Sequence, residues 1–216
     1  MKTINFKQEA EFRSEEKLRH VFGIKGIYFD KSTIVIFKGK ISLNEDVHFS
    51  GICKISKDVV IDKGCNLKNV VIGEGCSIRS HSVLNDCSFG RKNIIGPFCF
   101  VRNETSVGDR CIVGSHVEVT RSKISNEVKI SHQAFIGDAT IGNKVIIGAG
   151  VVFCNYDGLN KQSSNVADGS IIGSGTMVVS PVEIGAMAVI GAGSVITKNI
   201  DNGERFIQSR LKLNGN

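Results

Sequence analysis

Apolar positions recur at a fixed interval along most of this chain. From Ile55 an aliphatic residue or Phe returns every six positions, with occasional steps of five, as far as Phe153, and strict sixes resume from Val166 to Ile196. An α-helix needs intervals of three and four, and an alternating strand needs two. Six residues instead make one short strand and a turn, and three such units make one coil of a triangular solenoid whose coils pair with each other. The pattern predicts an all-β parallel β-helix.

Two stretches depart from this period. Residues 6–21 have apolar positions among charges and predict an amphipathic helix. Residues 154–165 interrupt the repeat, and an excursion from a rigid solenoid is a common place for function. We therefore expect three parts, which are an N-terminal helical segment (1–25), the β-helix (26–200) and a basic C-terminal tail (201–216).

The cysteines fit the repeat better than they fit a disulfide framework. There are seven, an odd number, in a chain whose first residues carry scattered charges and no apolar signal sequence. Six of them lie two residues before a periodic aliphatic position: Cys53, Cys65, Cys76, Cys87, Cys99 and Cys111. We expect this position to point inward near a corner, where Cys acts as a small hydrophobe.

Charge and composition argue against nucleic acid and the membrane interior as binding partners. The net charge of +6 suits a polyanionic small molecule as well as nucleic acid, but two Tyr and no Trp leave little for base stacking, so no nucleic-acid partner is expected. No run approaches the roughly 20 apolar residues that a membrane span needs. The start of the chain lacks a signal peptide. We expect a cytoplasmic protein without membrane insertion.

Four longer motifs resemble those of one enzyme family. They are IGPFCFVR (95–102), SHQAFIGDATIG (131–142), IGAGVVFCNYDGLNK (147–161) and IGSGTMVVSPVEIGAMAVIGAG (172–193), together with SR at 209–210. From about Leu18 to Arg210 the chain resembles the acetyltransferase half of the bifunctional glucosamine-1-phosphate acetyltransferase and N-acetylglucosamine-1-phosphate uridylyltransferase. The resemblance does not extend to the uridylyltransferase half. The first 20 residues resemble the end of the helix that links the two halves.

The resemblance implies a left-handed coil, a homotrimer with active sites in the clefts between subunits, and acetyl-CoA as co-substrate without a required metal. It makes His132 the general base, and a neutral imidazole suits that task because His titrates near working pH. It places Asn155 and Tyr156 at the acetyl and pantetheine end of acetyl-CoA. The pantetheine track and the CoA phosphates are assigned to Ala149, Ser174, Ala192 and Arg210.

The acceptor side departs from the family pattern. Arg102 and Lys161 stand where the family has basic residues around a sugar phosphate, but Thr120 replaces a Lys, Phe135 a Tyr and Ile146 an Asn. Arg121 could replace part of the lost charge. A site built to hydrogen-bond a substrate rejects analogues strongly, so these changes predict another acceptor. The expected reaction is acetyl transfer to a different amino sugar, as a sugar phosphate or linked to a nucleotide.

Other interpretations of the same residues remain open. Cys154 could form a covalent acyl-enzyme, and His81 and His116, at equivalent repeat positions, could belong to an intersubunit zinc site, although no third His is in register. His132 could be an ordinary surface residue, and the small corner residues could be simple packing. Transfer to a sugar hydroxyl needs the same base and the same cofactor. A catalytically silent β-helix scaffold is the alternative from outside the enzymes.

Overall fold

The computed structural model describes residues 1–209, and β-strands form nearly all of its regular structure. The one α-helix among these residues is α1 (Glu15–Phe22). The strands in the first half are β1 (Lys2–Phe12), β2 (Ile27–Phe29), β3 (Ile34–Leu43), β4 (Val47–Ser50), β5 (Ile52–Ile55), β6 (Val59–Ile61), β7 (Asn66–Ile72), β8 (Ser77–Ile78), β9 (Val83–Phe89), β10 (Ile94–Ile95) and β11 (Phe100–Val107). Those in the second half are β12 (Ile112–Ser115), β13 (Glu118–Thr120), β14 (Lys123–Ile124), β15 (Lys129–His132), β16 (Phe135–Gly137), β17 (Ala139–Ile141), β18 (Ile146–Ile147), β19 (Val152–Cys154), β20 (Ser164–Val166), β21 (Ile171–Ile172), β22 (Met177–Val179), β23 (Glu183–Ile184), β24 (Val189–Ile190), β25 (Val195–Ile196) and β26 (Arg205–Phe206).

The strands stack in three parallel rows, which are the three faces of the solenoid. The first face contains β2, β4, β13, β16, β19, β22 and β25, with the first parts of β7, β9 and β11. The second face contains β5, β14, β17, β20 and β23, with the remaining parts of those long strands. The third face runs through β6, β8, β10, β12, β15, β18, β21, β24 and β26. This architecture confirms the predicted left-handed parallel β-helix.

The core lies along the axis of this solenoid. Every periodic position from Ile55 to Ile196 is buried, at 4% exposure or less. The six repeat cysteines are buried as well, and none forms a disulfide. Burial raises the pKa of Cys53 and Cys99 to about 11 and that of Cys65 to about 12, so these thiols stay protonated at neutral pH. Their role as small packing residues is confirmed.

The N-terminal segment differs from the helix predicted over residues 6–21. Residues 2–12 form β1, which pairs antiparallel with β3 along the first coils, and only Glu15–Phe22 are helical. The reason is a period of two that the helix interpretation missed, since Ile4, Phe6, Ala10 and Phe12 are the positions of β1 that face the core. A terminal strand on the first coil covers hydrogen-bonding edges that would otherwise recruit another chain.

Aromatic packing fixes this cap to the solenoid. The ring of Phe6 stacks on Phe37 at 5.7 Å and lies 5.9 Å from Phe12 and 6.1 Å from Phe22. Phe37 in turn contacts Phe49 of the second coil at 6.3 Å. The cap and the first coils therefore share one apolar cluster.

Phe6→Ala is expected to lower the free energy of unfolding by about 2 kcal/mol, because it removes a half-buried ring from the middle of this cluster. Lys7→Ala, at an exposed neighbouring position of β1, is the matched control and should have little effect. Urea unfolding of both variants measures the difference. Equal stabilities would show that β1 does not cap the core.

Within residues 1–209 the only helix is far too short to cross a bilayer.

Candidate active site

His132 ends β15 at an exposed corner between the third and first faces. It follows buried Ile130 by two positions, and the chain turns at Gln133, whose φ is 47°. Across residues 1–209 the imidazole has no hydrogen bond or ion pair. Both ring nitrogens are therefore available to a bound molecule.

Three small residues occupy the same corner position in the coils that follow His132. They are Ala149, Ser174 and Ala192, all exposed. Backbone hydrogen bonds join the column from coil to coil: Gly150 N to His132 O (3.3 Å), Gly175 N to Ala149 O (2.8 Å) and Gly193 N to Ser174 O (2.7 Å). At about 4.8 Å between paired strands, the column extends about 14 Å from His132. We call these four stacked residues the His132 corner.

A second cluster lies at the corner between the first and second faces. Arg121 donates from Nε and Nη2 to the two carboxylate oxygens of Asp138, at 2.6 and 2.8 Å. The buried side chain of Asn155 donates from Nδ2 to the same carboxylate. One coil earlier, Arg102 donates from Nη2 to Glu118 at 2.5 Å. We call these residues, with Thr120 between them, the Arg121 corner.

Thr120 is fully buried at the centre of the Arg121 corner. Its hydroxyl accepts hydrogen bonds from Arg102 Nη1 (3.3 Å), Asn103 Nδ2 (3.2 Å) and Arg121 Nη1 (3.1 Å). Arg121 thus reaches the residue that stands in place of the family Lys, although Asp138 also holds its guanidinium.

The charges of this corner compensate each other. The Arg121 guanidinium holds the pKa of Asp138 below its ordinary value, so the carboxylate is ionised at neutral pH. Arg102 is paired with Glu118 in the same way, with 28% and 36% of the two side chains exposed. Two cations therefore face two anions, and little net positive charge remains for a phosphate. An open cleft of about 390 Å³ lies beside Arg121 and Asp138, with Lys123 at its edge.

The segment that interrupts the repeat folds as a compact exposed loop after β19. Tyr156 and Lys161 form an antiparallel bridge, and Asp157 accepts backbone hydrogen bonds from Leu159 (2.8 Å) and Asn160 (2.7 Å). The bond from Asn160 contributes most to lowering the pKa of Asp157 to about 2. The loop is thus internally ordered, and it holds Tyr156 and Lys161 outward at the end of the first face.

Phe135 and Ile146 lie on outer surfaces of different faces. The ring of Phe135 lies across Gly137, where an added Cβ would be 2.9 Å from Phe135 Cζ and 2.5 Å from Asn155 Nδ2. Glycine is needed there for this close approach. Ile146 is 41% exposed on the third face. Arg210, assigned to the CoA phosphates, lies outside the described residues.

One chain does not bring all of the sequence-predicted residues together. Five residues lie between His132 and Asp138, and they include the whole of β16 (Phe135–Gly137), so the two side chains are at opposite edges of the first face. His132 and the small residues lie at one edge of the first face, whereas Arg102, Thr120, Arg121, Asn155, Tyr156 and Lys161 lie at the other.

Sequence reasoning missed the two carboxylates that organise the Arg121 corner. Asp138 is part of the IGDA motif, and Glu118 precedes the core residue Val119, but neither stands out by spacing. Their partners lie 16 and 17 positions away along the chain. A search for opposite charges one coil apart would have found both pairs.

Comparisons with known proteins agree with this architecture. A family model described as the GMPPB C-terminal domain matches residues 33–125. The Bifunctional protein GlmU of Psychrobacter arcticus is 42% identical over 182 residues, which are 82% of this chain and 40% of the relative. That of Heliobacterium modesticaldum is 36% identical over 214 residues, which are 96% of this chain and 47% of the relative.

The resemblance to the acetyltransferase half of the GlmU proteins is confirmed. The chain spans less than half the length of these two relatives. Among solved structures, UDP-N-acetylglucosamine acyltransferase from Arabidopsis superposes with a TM-score of 0.50 at 15% identity, covering 81% of this chain and 67% of that one. At that identity the likeness to the Arabidopsis protein supports the fold alone.

Proposed function

We propose that this chain transfers an acetyl group from acetyl-CoA to the amine of an amino sugar, with His132 as general base. The column at the His132 corner carries this proposal. It combines an exposed, unpartnered imidazole with three successive coils whose corner residues are no larger than Ser. Such a column leaves room for an extended pantetheine arm that ends beside the imidazole, and the similarity to the GlmU proteins supports acyl transfer to a sugar.

The chemistry requires one proton acceptor and an activated acyl donor. An ammonium ion is not a nucleophile, so His132 takes a proton from the amine as its nitrogen attacks the thioester carbonyl carbon. The tetrahedral intermediate then collapses, the C–S bond breaks, and the thiolate of CoA takes the proton from the imidazolium. The products are the N-acetyl sugar and CoA. Cys154 is half-buried at the end of β19, at the edge of the first face that lies away from His132. Direct transfer does not use this thiol.

A second copy of the chain completes the proposed site. In one chain the acceptor-side residues at the Arg121 corner lie at the opposite edge of the first face from His132, but a neighbouring solenoid would bring its Arg121 corner to the His132 corner. The outward positions support such packing. From β9 onwards the outward positions of the first and third faces are largely apolar: Val83, Ile94, Phe100, Ile112, Phe135, Ile146, Val152, Ile171, Met177, Val189 and Val195. Over the same coils the outward positions of the second face are polar: Ser88, Ser106, Lys123, Thr140, Asn165 and Glu183. A closed homotrimer of parallel solenoids satisfies this pattern.

The acceptor is proposed to be an amino sugar other than glucosamine 1-phosphate. The guanidinium groups of Arg102 and Arg121 are already paired with Glu118 and Asp138, so the corner offers a phosphate little free positive charge. Phe135 and Ile146 present apolar groups where the family presents hydrogen-bonding ones.

Calorimetry with CoA tests the cofactor track. The unmodified chain should bind CoA, and Ser174→Phe should weaken binding at least about tenfold because the ring fills the track. Ser88→Phe, on the second face and away from the Arg121 corner, is the matched control and should bind CoA normally. Amide product from an amino-sugar panel with acetyl-CoA, resistant to hydroxylamine, supports N-acetyl transfer; ester product indicates the hydroxyl instead. A chain that binds no CoA would be a scaffold.

A further inference from the structure

Three stacked rings line the His132 corner on its N-terminal side. The ring centroids of His81 and Phe98 are 5.3 Å apart with an interplanar angle of 9°, and those of Phe98 and His116 are 5.4 Å apart at 18°. The three residues occupy equivalent turn positions, with φ values of 58°, 55° and 56°. We call them the ring ladder. Because Phe98 separates the two imidazoles, they cannot share a metal ion within one chain.

The ring ladder begins one coil from the proposed base. Ser115 pairs in register with His132, and His116 therefore lies one coil before Gln133. The rings belong to the column of Gln133, one residue along the chain from the column of His132, where Ser115 precedes the base. After Gln133 this neighbouring column contains only Gly150, Gly175 and Gly193, whereas before it the column contains the three rings. An acceptor that extends away from the small residues of the thioester track therefore passes beside the ring ladder.

The rings present their edges to solvent. Phe98 is 51% exposed and both imidazoles are exposed. His116 Nδ1 shares a hydrogen bond with Ser115 Oγ at 2.7 Å, which leaves Nε2 for a ligand. His81 lies against Gly64, where an added Cβ would collide with the imidazole. The ring ladder is thus a supported strip with an apolar centre and an imidazole at each end.

We propose that the ring ladder binds the nucleobase of a nucleotide-linked amino sugar. This proposal rests on the proposed function and names its acceptor class. The three rings lie about 5 to 14 Å from His132 at the spacing of paired strands. A sugar 1-phosphate whose amine is at His132 would reach only the first ring, whereas a nucleoside diphosphate attached to the sugar would extend along all three.

The chemistry of the strip suits a flat heterocycle. Ring edges carry positive partial charge and ring faces carry negative partial charge, so a base lying flat against the strip makes edge-to-face contacts. The imidazole nitrogens at its ends can hydrogen-bond the polar edge of the base. Contacts with the base would add affinity that does not depend on a phosphate site, and the two guanidinium groups of the Arg121 corner are already paired with carboxylates.

Kinetics with matched acceptors test the proposal on the full chain. Phe98→Ala is expected to raise KM for a UDP- or dTDP-linked amino sugar about tenfold, with kcat retained, because it removes the centre of the strip. KM for the corresponding amino-sugar 1-phosphate should not change. Phe98→Leu preserves packing, and its KM for the nucleotide-linked amino sugar should lie between those of the unmodified chain and Phe98→Ala. Ile52→Ala is the control, since Ile52 is 50% exposed on the second face.

A second measurement separates this proposal from the proposed function. Calorimetry with UDP and dTDP alone should show binding to the unmodified chain and about tenfold weaker binding to Phe98→Ala. Nucleotide binding without any acetyl transfer would overturn the enzymatic function and retain the nucleotide site. Two results would overturn the ring-ladder proposal and retain the enzymatic function. One is acetyl transfer with equal KM values in the unmodified chain and Phe98→Ala. The other is a changed oligomeric mass of Phe98→Ala without a change in nucleotide binding.

Discussion

His132→Ala is expected to lower kcat between about a hundredfold and ten-thousandfold, because a positioned general base contributes acceleration of that size. The side chain is exposed and packs into no core, so thermal unfolding should be unchanged. CoA affinity should change little, since the small residues of the column are intact. Single-turnover rates with acetyl-CoA and an amino sugar that the unmodified chain acetylates measure the chemical step directly.

Two further variants test whether His132 acts as a base or only holds the acceptor by hydrogen bonding. His20→Ala removes an exposed His from α1, away from the His132 corner, and should retain full activity. His132→Gln keeps a hydrogen-bonding side chain but has no basic nitrogen, and it should be nearly as slow as His132→Ala. If His132→Gln were to turn over at close to the original rate, His132 would only position the acceptor and another group would take the proton.

The solenoid could be predicted from sequence because each coil repeats one local rule. Every periodic aliphatic residue is buried, and six cysteines share one packing position, so a single period describes more than a hundred residues. The N-terminal segment contains no such repeated pattern. Gln8 interrupts the alternation of Ile4, Phe6, Ala10 and Phe12, and the charges between them are equally compatible with a helix. Pairing with β3, which is distant in sequence, selects the strand.

The candidate site was only partly predictable for a related reason. The motifs assigned roles to His132, Asn155 and Tyr156, but the partners of a corner side chain come from the adjacent coil, which the motifs do not show. The ion pair of Arg121 with Asp138 and the insertion of Phe98 between His81 and His116 depend on coil register. That register includes steps of five and the long loop after β19, so equivalent positions become visible only when the coils are aligned.

Three substitutions should shift the acceptor preference toward glucosamine 1-phosphate. A chain carrying Thr120→Lys, Phe135→Tyr and Ile146→Asn is expected to raise kcat/KM for glucosamine 1-phosphate about a thousandfold, since three new hydrogen bonds to charged groups would each contribute roughly a factor of ten. Lys at 120 would lie between Arg102 and Arg121 and would leave the corner with an uncompensated positive charge. A bound phosphate relieves that repulsion, so the gain should be specific to phosphorylated acceptors.

The matched control keeps the reach of the new side chain and removes its charge. Thr120→Gln in the same background of Phe135→Tyr and Ile146→Asn should gain far less activity toward glucosamine 1-phosphate, and raised ionic strength should weaken only the Lys-containing variant. An equal gain with Gln would assign the preference to shape and hydrogen bonding. The pairing of Arg102 with Glu118 and of Arg121 with Asp138 would then no longer explain why this corner disfavours a phosphate.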